Sequence, residues 1–140
     1  MSDKSFLDTS VFVYSFDRTD PRKREIARDL ISSALENGAG IISYQVVQEF
    51  LNVATRKFVI PLTAADAHRY LEVVLEPLCE VYPGPEIFHQ ALEISDAWRL
   101  SFYDSLIIAA ALQADCQVLY SEGLQDGLKV QGLTVRNPFI

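Results

Sequence analysis

Between Ser101 and Ala114 the chain reads SFYDSLIIAAALQA, and from Phe102 to Leu112 it is apolar on nearly every side except at Asp104 and Ser105. A helix with no polar face cannot lie on a surface, so other layers of the same domain have to enclose this segment. Its longest apolar run, Leu106 to Leu112, is far too short to cross a bilayer. The interior of an α/β core is what fits. A carboxylate in such surroundings needs a reason. Ser101 and Asp104 have the S-x-x-D spacing of a capping box, in which Asp104 serves the start of the helix and gains from its dipole. The same geometry holds a carboxylate at the edge of a crevice, and the apolar setting favours that reading.

A second carboxylate is placed comparably near the amino terminus, in SFLDTSVFVYSFD, Ser5 to Asp17. Phe6 and Leu7 form a short apolar run of the kind that makes a buried strand in a parallel sheet, and the carboxyl end of such a strand opens into the ligand crevice. Asp8 sits at that end. Thr9 and Ser10 suit the end of a strand and the cap of the next turn, and a cap or turn role for Asp8 alone is the plainer alternative.

The remaining segments alternate in the same way. Asp20-Pro21 predicts a helix to about Glu36, stopped by Asn37-Gly38, and Ala39 to Ser43 predicts a second buried strand. Ser43 is placed to cap a helix whose stripe is Val46, Val47, Phe50, Leu51 and Ala54, with Glu49 on its flank. Thr63 to Asp66 has capping-box spacing and opens a helix to about Leu75, ended by Glu76-Pro77. Leu78 to Tyr82 predicts a third strand, and Pro85 starts a helix through Ile87, Ala91, Leu92 and Ile94. Gln117 to Tyr120 predicts a fourth strand, and Leu133 to Val135 a short edge strand.

At 140 residues and 49% hydrophobic content the chain is read as one domain, residues 1–140, with a real core. A formal net charge of −7 argues against gripping nucleic acid over the whole surface, since that affinity comes from Lys and Arg. Arg18, Arg22, Lys23, Arg24 and Arg28 crowd into one segment, which reads first as a solvated helix face and second as a local phosphate-contacting patch. Cys79 and Cys116 have neither zinc-site spacing nor the density of a secreted scaffold, which fits a reducing cytoplasm. His68 and His89 are isolated, so a histidine metal site or a Ser-His-Asp relay is not expected. The opening residues MSDKSFLDTS lack the apolar region of a signal peptide, and no membrane association is expected.

Alternating strands and helices predict a mostly parallel sheet with helices on both faces, and ligands at the carboxyl ends of the strands. Asp8 and Glu122 come at two such ends, and Glu49 and Asp104 come early in the helices that follow theirs, so all four are expected to converge. Two carboxylates about 4 Å apart repel by roughly 4 kcal/mol at an effective dielectric of 20, which favours protonation or a hard divalent cation. Oxygen ligands without Cys or His point to Mg²⁺ or Mn²⁺, and such a site suits phosphate chemistry. A haloacid-dehalogenase-like phosphoenzyme would want a second Asp where Ser10 stands, and a receiver domain would want a lysine that Lys129 is misplaced to supply.

The segments FLDTSVFVYSFD, SYQVVQEF, LSFYDSLIIAAAL and VLYSEGLQDG, in that order and spacing, resemble the PIN domain of bacterial VapC-type toxins over essentially the whole chain. The resemblance implies a three-layer α/β/α sandwich around a mostly parallel sheet of four to five strands. It implies an Mg²⁺-dependent endoribonuclease, the toxin of a toxin–antitoxin pair, acting on RNA, usually a homodimer and restrained by a small antitoxin. Carried over by position, Asp8, Glu49 and Asp104 match the acids that hold Mg²⁺ and activate water, Asp8 and Asp104 being the expected ligands. Where related sequences read S-E-D, this chain has Ser121-Glu122-Gly123, so the last acid is missing or its role has passed to Glu122 or Asp126. Gly123 also supports a second expectation, a PIN-fold module with a weakened site that acts mainly by binding a protein partner or RNA.

Overall fold

The computed structural model describes residues 3–140. Met1 and Ser2, on which the expectation of no leader partly rests, lie outside the described residues. The chain runs β1 (Ser5–Leu7), α1 (Thr9–Tyr14), α2 (Pro21–Asn37), β2 (Gly40–Ser43), α3 (Tyr44–Arg56) and α4 (Ala64–Tyr70). A π turn over Leu71–Leu75 leads into α5 (Glu76–Leu78), followed by β3 (Cys79–Val81), α6 (Pro85–Trp98), α7 (Phe102–Gln113), β4 (Val118–Tyr120), β5 (Lys129–Val130) and β6 (Leu133–Arg136).

The described strands form one sheet in the order β3-β2-β1-β4-β6-β5. Every neighbouring pair is parallel except β5 and β6, which are antiparallel. Successive residues of a strand face opposite sides, yet Phe6 and Leu7, and all four residues of β2, are buried. The centre of the sheet is therefore covered on both faces, as a three-layer sandwich requires. From β1 the chain steps outward to β2 and β3, then returns to the other side of β1 with β4. The carboxyl ends of β1 and β4 thus flank the point where strand order reverses, the place where open α/β sheets bind ligands.

Local sequence explains most elements. Asp20 accepts the Lys23 N–H and Pro21 occupies the first turn of α2, which Gly38 ends at φ 67°. Thr63 and Ser101 accept the N–H groups of Asp66 and Asp104, so both capping boxes form at the helix side. In α7, Ser105 and the run from Ile107 to Ala111 are all buried, and α6 packs along it. Gly40 is required by close approach: a Cβ there would collide with the Ala34 Cβ of α2. No helix among the described residues is long and apolar enough to cross a membrane.

Five local expectations are corrected. The sheet has six strands rather than four to five, because the two-residue β5 pairs with β6; that pairing leaves β6 inside the sheet and not at its edge. Pro77 does not end its helix: the widened π turn, in which the Glu76 N–H reaches the Leu71 carbonyl, carries the helix on to Leu78. Leu78 consequently belongs to α5 and the third strand begins at Cys79. Ser43 stands at the start of α3, but its hydroxyl makes no cap bond and is buried without a partner.

Candidate active site

Asp8 follows β1 directly and caps α1 from an extended conformation. Its backbone N–H donates to the Tyr120 carbonyl at 3.0 Å, which continues the pairing of β1 with β4 up to the mouth of the crevice. Both side-chain oxygens are held: Oδ1 accepts the Thr9 N–H at 2.7 Å and Oδ2 accepts the Ser121 hydroxyl at 2.8 Å. The cap reading of Asp8 holds, and its place at the carboxyl end of β1 is as expected. Burial pushes its pKa above the ordinary carboxylate value, the bonds from Ser121 and Thr9 work downward, and the charge of Asp104 adds to the rise.

Glu49 lies in the second turn of α3, where the Thr9 hydroxyl faces its Oε1 at 3.4 Å. Its pKa is also raised, first by desolvation and then by Asp8, with a further push from Asp104; bonds from Gln45 and Thr9 oppose the rise. Gln45 in turn donates from Nε2 to the Tyr103 carbonyl at 3.3 Å, tying α3 to the residue before Asp104. Asp104 sits exposed in the first turn of α7. Three of the expected acids thus share one electrostatic neighbourhood: the charge of Asp104 works against that of Asp8, and both work against that of Glu49.

Glu122, the fourth, is not brought into that group. Its Oε2 meets Lys23 Nζ at 2.6 Å, and its Oε1 accepts the Tyr14 hydroxyl at 2.6 Å. The same ammonium donates to the Tyr14 oxygen at 3.3 Å and lies 4.5 Å from the centre of that ring. The charges that act on Glu122 are Lys23 and Asp20; partial burial pushes its pKa up, but the bonds from Lys23 and Tyr14 outweigh this and leave it lowered. Asp126 is engaged elsewhere as well, accepting the Asn137 N–H at 2.7 Å. Gly123 makes no left-handed turn, and a Cβ built on it meets nothing within 4 Å.

Sequence reasoning passed over Thr9, Gln45 and Ser121 as site residues. Thr9 and Gln45 carried a readable signal, being one residue after Asp8 and one helical turn before Glu49. Ser121 carried only its place after a strand and its match to the first residue of S-E-D.

Among the described residues no group of three or more His, Cys, Asp or Glu side chains is gathered closely enough to form a metal cage. Magnesium does not need one. It keeps several waters and is commonly held by one or two carboxylates together with substrate phosphate oxygens. Asp8 and Asp104, hard oxygen donors whose charges oppose each other, fit that description.

A mostly parallel sheet covered by helices, with carboxylates beside its reversal point, defines an α/β protein with an acidic candidate site. The PIN domain family model matches residues 5–124, and the chain belongs to that family. No match in sequence is found among the curated proteins. Its fold is similar to that of a toxin–antitoxin complex from Klebsiella pneumoniae, at TM-score 0.69 and 18% identity over 97% of this chain and 98% of that one. Mycobacterium tuberculosis VapC20, described as a sarcin–ricin loop cleaving toxin, is similar at TM-score 0.62 and 21% identity over 84% of this chain and 88% of that one. Rickettsia felis VapBC2, bound to a DNA fragment from its promoter, is similar at TM-score 0.65 and 15% identity over 94% and 96% of the respective chains.

Proposed function

We propose that this chain is an Mg²⁺-dependent endoribonuclease and the toxin of a toxin–antitoxin pair. The observation that carries the reading is the placement of Asp8, Glu49 and Asp104 beside the reversal point of the sheet, where the charge of Asp104 works against ionisation of Asp8 and both work against ionisation of Glu49. Membership of the PIN family supports it, as does the fold shared with a toxin that cleaves the sarcin–ricin loop. In this reading Asp8 and Asp104 hold the ion, with Mn²⁺ an acceptable substitute. The bound ion supplies a lowered pKa for water and positive charge against the phosphate. Glu49, whose raised pKa suits it to accept a proton, takes one from the attacking water at Oε2, the oxygen Thr9 does not engage. The water oxygen bonds to phosphorus, the ribose oxygen leaves, and that oxygen takes up a proton from solvent. Ser121 and the Thr9 N–H keep the Asp8 carboxylate from rotating.

The partner in this reading is an antitoxin with a basic segment, since Asp8 and Glu49 lie among acids that work against their ionisation, which a cation would relieve. The toxin–antitoxin complexes among the similar structures support such a partner. A homodimer in the cytoplasm completes the reading, and the two free cysteines, Cys79 and Cys116, are at home there. One observation favours a second reading, a binding module with a weakened site: Gly123 supplies no acid and Glu122 is tied to Lys23. Cleavage of RNA by the purified chain, titrated with Mg²⁺ and Mn²⁺ and repeated with Asp8→Asn and Asp104→Asn, separates the two. Metal-dependent cleavage lost in both variants supports the nuclease. Partner binding without cleavage at any metal concentration supports the module.

A further inference from the structure

Ser121 and Glu122 are consecutive residues, yet they grip opposite ends of one short helix. Ser121 bonds Asp8, the N-cap of α1, and Glu122 bonds Tyr14, the last residue of α1. Six helical residues separate the ends by about 9 Å, so the two bonds fix the tilt of α1 as well as its distance from β4. Lys23 locks the second grip by engaging both Glu122 and Tyr14, and the Tyr14 ring is backed by Phe139 with centroids 4.9 Å apart. Arg28 Nε donates to the Ser15 carbonyl at 2.9 Å, so α2 holds the far end of α1 twice. The near end carries the carboxylate.

We propose that Glu122, Lys23 and Tyr14 form a positioning clasp: they touch neither substrate nor metal, and they act by holding α1 so that Ser121 keeps Asp8 in its working orientation. The consequence rests on the nuclease reading, and the geometry on the hydrogen bonds of Glu122, Tyr14 and Lys23. The clasp assigns the fourth expected acid a different task from the other three. Glu122 differs from Asp8 in what engages its oxygens: a cation and a phenol hold it, and Lys23 compensates its charge locally.

The test compares the parent with Lys23→Met, Glu122→Gln, the double variant, Lys23→Arg and the milder Tyr14→Phe, which keeps the ring against Phe139. For RNA cleavage, kcat and KM are measured separately. Loss of a group that orients a ligand typically weakens activity about tenfold or more, so each of the first two variants should lower kcat by about tenfold with KM unchanged. The double variant should be no worse than either, since both cut the same clasp, and Lys23→Arg should recover most of the loss. Amide hydrogen exchange, read without RNA or metal, should speed up at Asp8 and Ser121 and stay unchanged in α6. Lys23→Met at parental kcat beside an inactive Glu122→Gln would overturn the clasp and make Glu122 a direct participant. Unchanged exchange at Asp8 and Ser121 would overturn it as well. A parent that cleaves no RNA defeats the nuclease reading, and the exchange result then decides the grip on its own.

Discussion

Asp8 and Glu122 both stand at the carboxyl ends of neighbouring parallel strands, β1 and β4, and the fold treats them in opposite ways. Asp8 is placed among acids, where burial and Asp104 raise its pKa. Glu122 is placed between a lysine and a tyrosine, and its pKa is lowered. The first arrangement stores repulsion that a cation could relieve; the second has already been relieved by the chain itself. Position at a strand end brings an acid to the crevice side of the sheet, and the partner it finds there decides whether it remains available.

The largest effect expected on this contrast is in the crevice. Asp8→Asn and Asp104→Asn should each reduce Mg²⁺-dependent RNA cleavage at least about a hundredfold, because each removes a ligand charge while keeping its shape. Cleavage of a labelled RNA under single-turnover conditions measures this, and two variants that cut at the parental rate would erase the distinction between the regions.

Next in size is the response of an antitoxin. An arginine from a basic segment gains more beside Asp8 and Glu49, which lie among acids, than beside Glu122, which already has Lys23. Excess Mg²⁺, or Asp104→Asn, should therefore weaken a purified complex by about tenfold, read by calorimetry. Glu122→Gln should change it less. A complex indifferent to both would place the inhibitor elsewhere.

Gly123→Asp tests whether the missing acid can be restored. The position is open, with nothing within 4 Å of an added Cβ and no left-handed φ to strain. Cleavage should rise several-fold at limiting Mg²⁺, and no change would mean that three acids suffice in this chain.

The smallest effects are on stability, and they should run in opposite directions with pH. The folded state raises the pKa of Asp8 above 3.8, so above that raised value folding must carry a charge it disfavours. Asp8→Asn should raise the metal-free Tm by about 2–4 °C at pH 7, an advantage that fades as pH falls through the raised pKa towards 3.8. Glu122 is the reverse case: its lowered pKa contributes stability that is present above 4.5 and lost as pH falls below it. Glu122→Gln should lower Tm slightly at pH 7 and converge with the parent in acid, as calorimetric scans from pH 7 to pH 3 would show.

Asp8, Glu49 and Asp104 were legible because each is announced locally: one ends an apolar strand, one flanks an apolar stripe, and one interrupts a helix that is otherwise buried all round. The parallel sheet was legible for the same reason. The engagement of Glu122 was not, since its partners lie 99 and 108 residues away and nothing in VLYSEG names them. The π turn escaped because a proline after a helical run reads as a stop, and only the i to i+5 bond to Leu71 shows how Pro77 is accommodated. β5 is two residues long and derives its pairing from β6, so it has no periodicity of its own to read.

The bond between Ser121 and Asp8 spans 113 residues of chain. Contacts of that separation close large loops and therefore form late, after the local helices and hairpins are in place. During synthesis the first strand lies exposed on one edge until β4 arrives to pair with it, and Asp8 has only its own helix to lean on. The carboxylate reaches its final setting when residue 121 is in the sheet, so competence at this site is tied to near-complete folding, and partly folded chains hold an unfinished crevice.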